Sequence, residues 1–228
     1  MKNLFSSFFL AFLLFIFLLS CQQNKIKQPI KIATKKIVTA KLAAIHIIPL
    51  GKVRASLIKD VIDGLQSFYH REVIVENTVL LTPDLLAPSK TRYNANAILN
   101  KFNSSKNILI ITEKDIYTFK SIKLPRKFYT APIKGITMEW GVFGLGLRPG
   151  NVCVISSFAN RLGKEATPKL LKERLQKVAI HEVGHNLGLD HCIKNSKCLM
   201  TDANGTKNQV DQEKMIFCDN CKKTIGIL

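Results

Sequence analysis

The sequence predicts one α+β domain over residues 42–228, with a mixed sheet and one long helix at its centre. Three observations carry this. Short apolar, β-prone runs recur at 42–50, 107–112 and 151–157. Residues 53–69 place Val53, Leu57, Ile58, Val61, Ile62, Leu65 and Phe68 at helical spacing, so one face packs. A second helix is announced by Thr167-Pro168, with threonine as N-cap and proline at the first helical position, and runs to about Leu187.

The other elements follow in order. Glu72 to Leu81 reads as a strand, because Val73, Val75 and Val79 alternate. Tyr93 to Phe102 reads as a short helix. Asn107 to Thr112 is a nearly continuous Ile/Leu run, the pattern of a strand buried on both faces. Gly135 to Trp140 and Asn151 to Ser157 read as strands flanking a glycine-rich turn, Gly141 to Gly150. There is no internal repeat.

Composition narrows the class. The chain has 228 residues, 46% of them apolar and 22% charged, a balance that excludes a disordered chain. A polytopic membrane protein is excluded too, since the single long uncharged stretch lies at the extreme N-terminus. Lys and Arg number 34 against 16 Asp and Glu, a formal net charge of +18. That excess invites a nucleic-acid reading. Lysine far outnumbers arginine, however, and Ile, Asn and Phe are also plentiful, which points to an A/T-rich coding sequence.

Residues 1–20 read as a signal peptide: Lys2 is the positive n-region, and residues 4–19 form an apolar run broken only by Ser6 and Ser7. The run is shorter than the ~20 residues a bilayer span needs. It ends in Leu18-Leu19-Ser20-Cys21, which resembles the lipobox of bacterial lipoproteins. That resemblance implies cleavage before Cys21, acylation of its sulfur and an exported chain anchored in the membrane of the cell envelope. Residues 22–41 carry six lysines and no acid, and read as a basic tether. Together with Cys21 they form the segment 21–41. An exported protein would not meet a genome, so no nucleic-acid partner is expected.

The chemistry lies at the end of the long helix, in His181-Glu182-Val183-Gly184-His185-Asn186-Leu187-Gly188-Leu189-Asp190-His191. Positions i and i+4 share a helix face, so His181 and His185 can direct ring nitrogens at one metal. Glu182 is turned by about 100° and can reach a metal-bound water without ligating the metal. Gly188 permits the left-handed reversal that ends a helix and brings His191 back as third ligand. Three nitrogens leave a fourth tetrahedral position for water, the mark of a catalytic zinc. Three of the five histidines fall in these eleven positions. His46 and His70 read as ordinary structural or surface residues.

Four cysteines follow as Cys192, Cys198, Cys218 and Cys221. Two readings stay open: a structural zinc held by all four sulfurs, or disulfides, which an exported compartment allows. A Cys218–Cys221 bridge would be strained, which counts against the second. Cys153 sits in an apolar, β-rich context and reads as a buried core thiol.

This stretch resembles the metzincin clan of zinc metalloproteases, and within it the archaemetzincins, where HExxHxxGxxHC leads to a second cysteine, C-x-M and a final CxxC. Met200 and Cys218 have seventeen residues between them, as in the family; Ile193 to Lys197 put five residues between Cys192 and Cys198 where the family usually has four. Gly141 to Leu145 and Ser156 to Leu162 are similar to family segments with lower specificity.

The resemblance implies a metzincin-like zincin fold. Its N-subdomain would span about 42–188, and a small zinc-stabilised C-subdomain about 189–228. It further implies two zinc ions per chain, one catalytic on His181, His185 and His191 and one structural on the four cysteines. Met200 becomes the Met-turn methionine beneath the metal, with no tyrosine ligand close after it. The implied activity is hydrolysis of peptide bonds, with Glu182 as general base and a peptide or protein as substrate, in a monomer. Residues 142–147 could pair with an extended substrate, or simply be a glycine-rich turn. A second class also stands: a non-catalytic, zinc-stabilised binding lipoprotein whose basic surface holds anionic polymers or lipids.

Overall fold

The computed structural model describes residues 43–122 and 136–226. The segments read from sequence as a signal peptide (1–20), a lipidation site (Cys21) and a tether (22–41), together with Leu42 and Gly135, lie outside the described residues. Among the described residues, no helix is long and apolar enough to cross a membrane.

The described chain runs β1 (Ile45–Pro49), α1 (Ala55–Tyr69), β2 (Val73–Val75), a 3-10 turn (Pro83–Leu85), β3 (Tyr93–Asn94), α2 (Ala95–Phe102) and β4 (Asn107–Thr112). It continues through β5 (Ile116–Ile122), β6 (Ile136–Val142), β7 (Gly144–Gly146), β8 (Val152–Ser156), α3 (Pro168–Asn186), α4 (Lys207–Gln212) and α5 (Asp219–Thr224). The main sheet is mixed, in the order β2-β1-β4-β8-β7. Its first four strands are parallel, and β7 closes one edge antiparallel to β8, with Leu145 opposite Val154. A second sheet pairs β3 parallel to β5 and β5 antiparallel to β6.

β4 is the central strand because it can be buried twice. Leu109 and Ile111 face one apolar cluster with α1 and α3; Ile108 and Ile110 face another with Ala95, Ile98 and Leu99 of α2. Alternating side chains of one Ile/Leu run therefore glue helices to both faces of the sheet. Cys153 is fully buried on β8, as its apolar context predicts.

α3 begins where expected: the Thr167 hydroxyl accepts from the Leu170 N–H at 3.2 Å, and Pro168 opens the helix. From Arg174 to His185 the helix is buried almost all round. α1 is clamped to it by Tyr69, whose hydroxyl donates to the Ile180 carbonyl at 2.8 Å, and by Gln176, whose amide donates to the Asp60 carbonyl at 2.9 Å.

Several boundaries depart from expectation. The strand over 72–81 is only β2; Glu76 N–H still pairs with Ile47, the chain then leaves the edge, and Val79 returns as a lone bridge to Leu50. The helix expected from Tyr93 starts at Ala95, because Tyr93 and Asn94 pair with β5 and the Asn94 side chain caps the helix by accepting from Ala97 N–H. The first helix starts at Ala55, since Arg54 N–H is taken by the Glu113 carboxylate at 2.7 Å. The glycine-rich turn contains β7. His46 pairs with Glu76 at 2.7 Å, and His70 caps α1 in the left-handed region, both structural duties.

Arg174, almost fully buried, donates two bonds of 2.7 Å to Asp211 and one of 2.8 Å to the Leu162 carbonyl, so it pins α4 to α3. Removing the carboxylate leaves a buried cation with only carbonyl partners. Asp211→Asn is expected to lower unfolding stability by about 2–3 kcal/mol, read from the urea midpoint at unchanged m-value. An unshifted midpoint would show that the pair carries no stability.

Candidate metal centres and the cavity beside them

The end of α3 brings the three predicted histidines together: their ligand atoms lie within 4.8 Å of one another. The helix stops after Asn186, and Gly188, at φ 98, donates to the His185 carbonyl while Leu189 N–H donates to Gly184. This left-handed reversal returns the chain so that the His191 ring sits 4.9 Å from that of His185 and 5.4 Å from that of His181.

The rings are held from behind. Nδ1 of His181 is 2.7 Å from the Leu199 carbonyl and Nδ1 of His185 is 2.7 Å from the Leu189 carbonyl. Each Nδ1 therefore donates its hydrogen to a backbone oxygen, leaving Nε2 with a free lone pair. His191 is half-exposed; its backbone N–H is held by Asp190 and its Nδ1 lies 3.7 Å from Asp202. Burial, then the neighbouring His185, pushes His181 down to about 3, and burial lowers His185 too. Both are neutral at physiological pH, the form that ligates a metal.

Glu182 is buried against β7. A Cβ on Gly144 would fall 2.6 Å from its Cγ and its Oε1, so only glycine lets the edge strand approach this closely. The Gly146 N–H donates to the carboxylate, but burial, then Asp202, raises the carboxyl to about 8. A divalent cation on the histidines would oppose that rise. Met200 is fully buried beneath the same helix turn, with its Sδ 2.6 Å from where a Gly184 Cβ would stand.

The four predicted cysteines also meet, within 4.8 Å of one another, and all are free thiols. Sulfur separations are 3.6 Å for Cys192–Cys218 and 3.7 Å for both Cys198–Cys221 and Cys218–Cys221. A tetrahedron with Zn–S bonds of ~2.3 Å has edges of about 3.8 Å, so this cluster fits zinc. The Cys218 N–H donates to the Cys198 sulfur at 3.3 Å. Burial pushes the Cys198 and Cys221 thiols up, whereas at Cys218 hydrogen bonds from the Cys221 backbone and the neighbouring sulfurs outweigh burial and lower the thiol; a bound cation would favour the thiolate form.

A cavity of about 420 Å³ opens over the histidines. Sequence reasoning missed most of its wall: Trp140 and Lys120 on the second sheet, Lys177 on α3, and Asp202, Val210 and Glu213 after Met200. Lys177 alone carried a signal, lying one turn before His181 on the same face; the others come from segments whose approach no local pattern encodes.

The comparisons agree with this geometry. A family model described as Peptidase family M54 matches residues 42–226. The archaemetzincin of Archaeoglobus fulgidus is 32% identical over 181 residues, spanning 79% of this chain and 98% of that protein; that of Haloarcula marismortui is 26% identical over 190 residues, with the same coverage. The crystal structure of the Archaeoglobus fulgidus protein superposes with a TM-score of 0.64 at 30% identity, covering 80% of this chain and 99% of that one. The archaemetzincin of Methanopyrus kandleri, at 22% identity and a TM-score of 0.63, shares the fold, with 83% and 97% covered. A model matched over nearly the whole described chain, on top of a histidine and a cysteine cluster that both suit metal, places the chain in Peptidase family M54: it is an archaemetzincin-like zinc metallopeptidase, a hydrolase acting on peptide bonds.

Proposed function

We propose that His181, His185 and His191 hold a catalytic zinc, that Cys192, Cys198, Cys218 and Cys221 hold a structural zinc, and that Glu182 is the general base. The observation that carries the first assignment is the pair of carbonyl-held rings, His181 on Leu199 and His185 on Leu189, both neutral and presenting Nε2 to one point. When bound, the zinc supplies Lewis acidity, bringing the pKa of water to about 7 and polarising the scissile carbonyl. Glu182, steadied by the Gly146 N–H, takes the proton of the attacking water and passes it to the leaving amine. β7 is an edge strand next to Glu182, so its outer side is open to an extended peptide added in β-register. Met200 serves as apolar floor beneath the metal.

In this reading the fold is of the metzincin type. Residues up to about 188 form the subdomain bearing sheet and helix, and 189–228 form a C-terminal subdomain organised by the second zinc. We also propose, on the lipobox-like Leu18-Leu19-Ser20-Cys21, an exported chain held at a membrane by acylated Cys21.

Glu182→Gln is expected to keep its zinc while lowering kcat by ~10²–10⁴-fold on a peptide that the wild type cleaves. Unchanged kcat with full zinc would remove the base assignment. Metal analysis of the wild type should give about two zinc per chain, and Cys218→Ser about one, with a lower unfolding midpoint. One zinc in the wild type, with no titratable thiols at these four positions, would instead establish disulfides. For the anchor, radiolabelled palmitate should enter the full chain and not Cys21→Ala; equal labelling of the two would end the lipoprotein reading.

A further inference from the structure

Glu213 is nine-tenths buried, yet it lines the cavity over the histidines rather than the core. Its Oε1 takes one long bond, 3.3 Å, from the Gln209 amide, and among the described residues its Oε2 has no partner. Burial pushes its carboxyl up to about 7, and the Gln209 amide and the nearby Lys177 charge oppose that rise without cancelling it.

The neighbouring cations are already spoken for. Lys177, also buried, donates to the Val210 carbonyl at 2.9 Å and pairs with Glu173 at 2.7 Å. Arg148 pairs with Asp190 at the cavity rim, and Lys120 stands 4.5 Å over the Trp140 ring. Asp202 lines the same cavity and adds negative charge, raising Glu213 further. In a chain whose formal charge is +18, the wall of this recess carries three acids, Glu182, Asp202 and Glu213, against three bases, and two of those bases, Arg148 and Lys177, are paired with acids outside the lining.

The place of the recess matters. Lys177 and Val178 precede His181 by one turn of α3, and Lys177 holds the Val210 carbonyl, which brings α4 and Glu213 to the side of the histidine triad. A substrate bond at the metal would therefore direct an adjoining side chain towards Val178, Val210 and Glu213: an apolar wall for a methylene stem and a carboxylate for its tip.

We propose that Glu213 determines specificity in a subsite beside the metal that takes a lysine or arginine side chain of the substrate residue adjoining the scissile bond. This deepens the peptidase reading and rests on it. The Glu213 carboxylate accepts a charge-assisted hydrogen bond from the substrate cation.

The test uses the zinc-loaded full chain and two peptide hydroxamates that differ only in lysine or norleucine next to the metal-binding group. Trp140 is the single tryptophan and lines the cavity, so its fluorescence reports occupancy. Wild type should bind the lysine probe about 10- to 100-fold more tightly, E213Q should bind both alike, and E213D should keep part of the preference. Zinc content and unfolding midpoint check that each variant is folded. Equal affinity on the wild type, or a lysine preference that survives in E213Q, overturns the proposal. Lysine and norleucine peptides are then assayed for cleavage. Discrimination by the probes without cleavage of either peptide removes the peptidase reading and leaves the subsite; cleavage without discrimination does the reverse.

Discussion

One constraint organises the molecule: α3 must be buried almost all round while carrying polar groups at its C-terminal end. A buried polar group left without a partner costs about 1–3 kcal/mol, so each of these side chains has a dedicated one. His181 has the Leu199 carbonyl, His185 the Leu189 carbonyl, Glu182 the Gly146 N–H, Arg174 Asp211, and Lys177 the Val210 carbonyl. These partners come from β7, from the reversal after the helix, and from the two segments beyond it. The placement of Leu189, Leu199, Val210 and Asp211 follows from satisfying this one helix.

The histidine and cysteine clusters are mechanically joined. His191 is followed directly by Cys192, whose N–H donates to the Met200 carbonyl at 2.7 Å; Leu199, which holds His181, lies between Cys198 and Met200. The cysteine tetrad thus grips both strands of the loop that positions the third histidine, the ring of the first and the methionine below. With two of the four sulfurs at a helix of only six residues, α5, no apolar core could hold that grip alone. The proposed structural zinc would draw the sulfurs together and fix this short loop beside the histidines.

How much of this was legible followed the range of the signal. Periodicity and caps are local, so α3, with Thr167 and Pro168 at its start and Gly188 past its end, read correctly, as did β4 from its unbroken Ile/Leu run. The histidines and cysteines stood out because their spacings suit metal ligation, and the structure brings each set within 4.8 Å. Pairing is non-local, and there the reading failed. β7 is Gly-Leu-Gly, a sequence with no strand propensity, and becomes a strand because Val154 lies opposite Leu145 and because glycine alone clears Glu182. β5, over 116–122, mixes polar and apolar residues and exists through its pairing with β6. Glu213, on the chain after α4, carries no local mark. Its position depends on Arg174 and Lys177, far earlier in the chain, reaching across to hold Asp211 and Val210.

That long-range bracing also alters the meaning of the positive charge. The excess of lysine is spread along the whole sequence, and where lysines are exposed their field is screened by salt over about 8–10 Å and attracts acidic partners without regard to the cavity. The cavity wall is mixed rather than basic: Lys120, Arg148 and Lys177 share it with Glu182, Asp202 and Glu213, and Arg148 and Lys177 are paired with Asp190 and Glu173 outside the lining. Shielded by low-dielectric walls, those few carboxylates weigh more on a bound ligand than the many exposed lysines do. Net charge therefore describes what the surface gathers, and the buried acids beside the histidines describe what the cavity accepts.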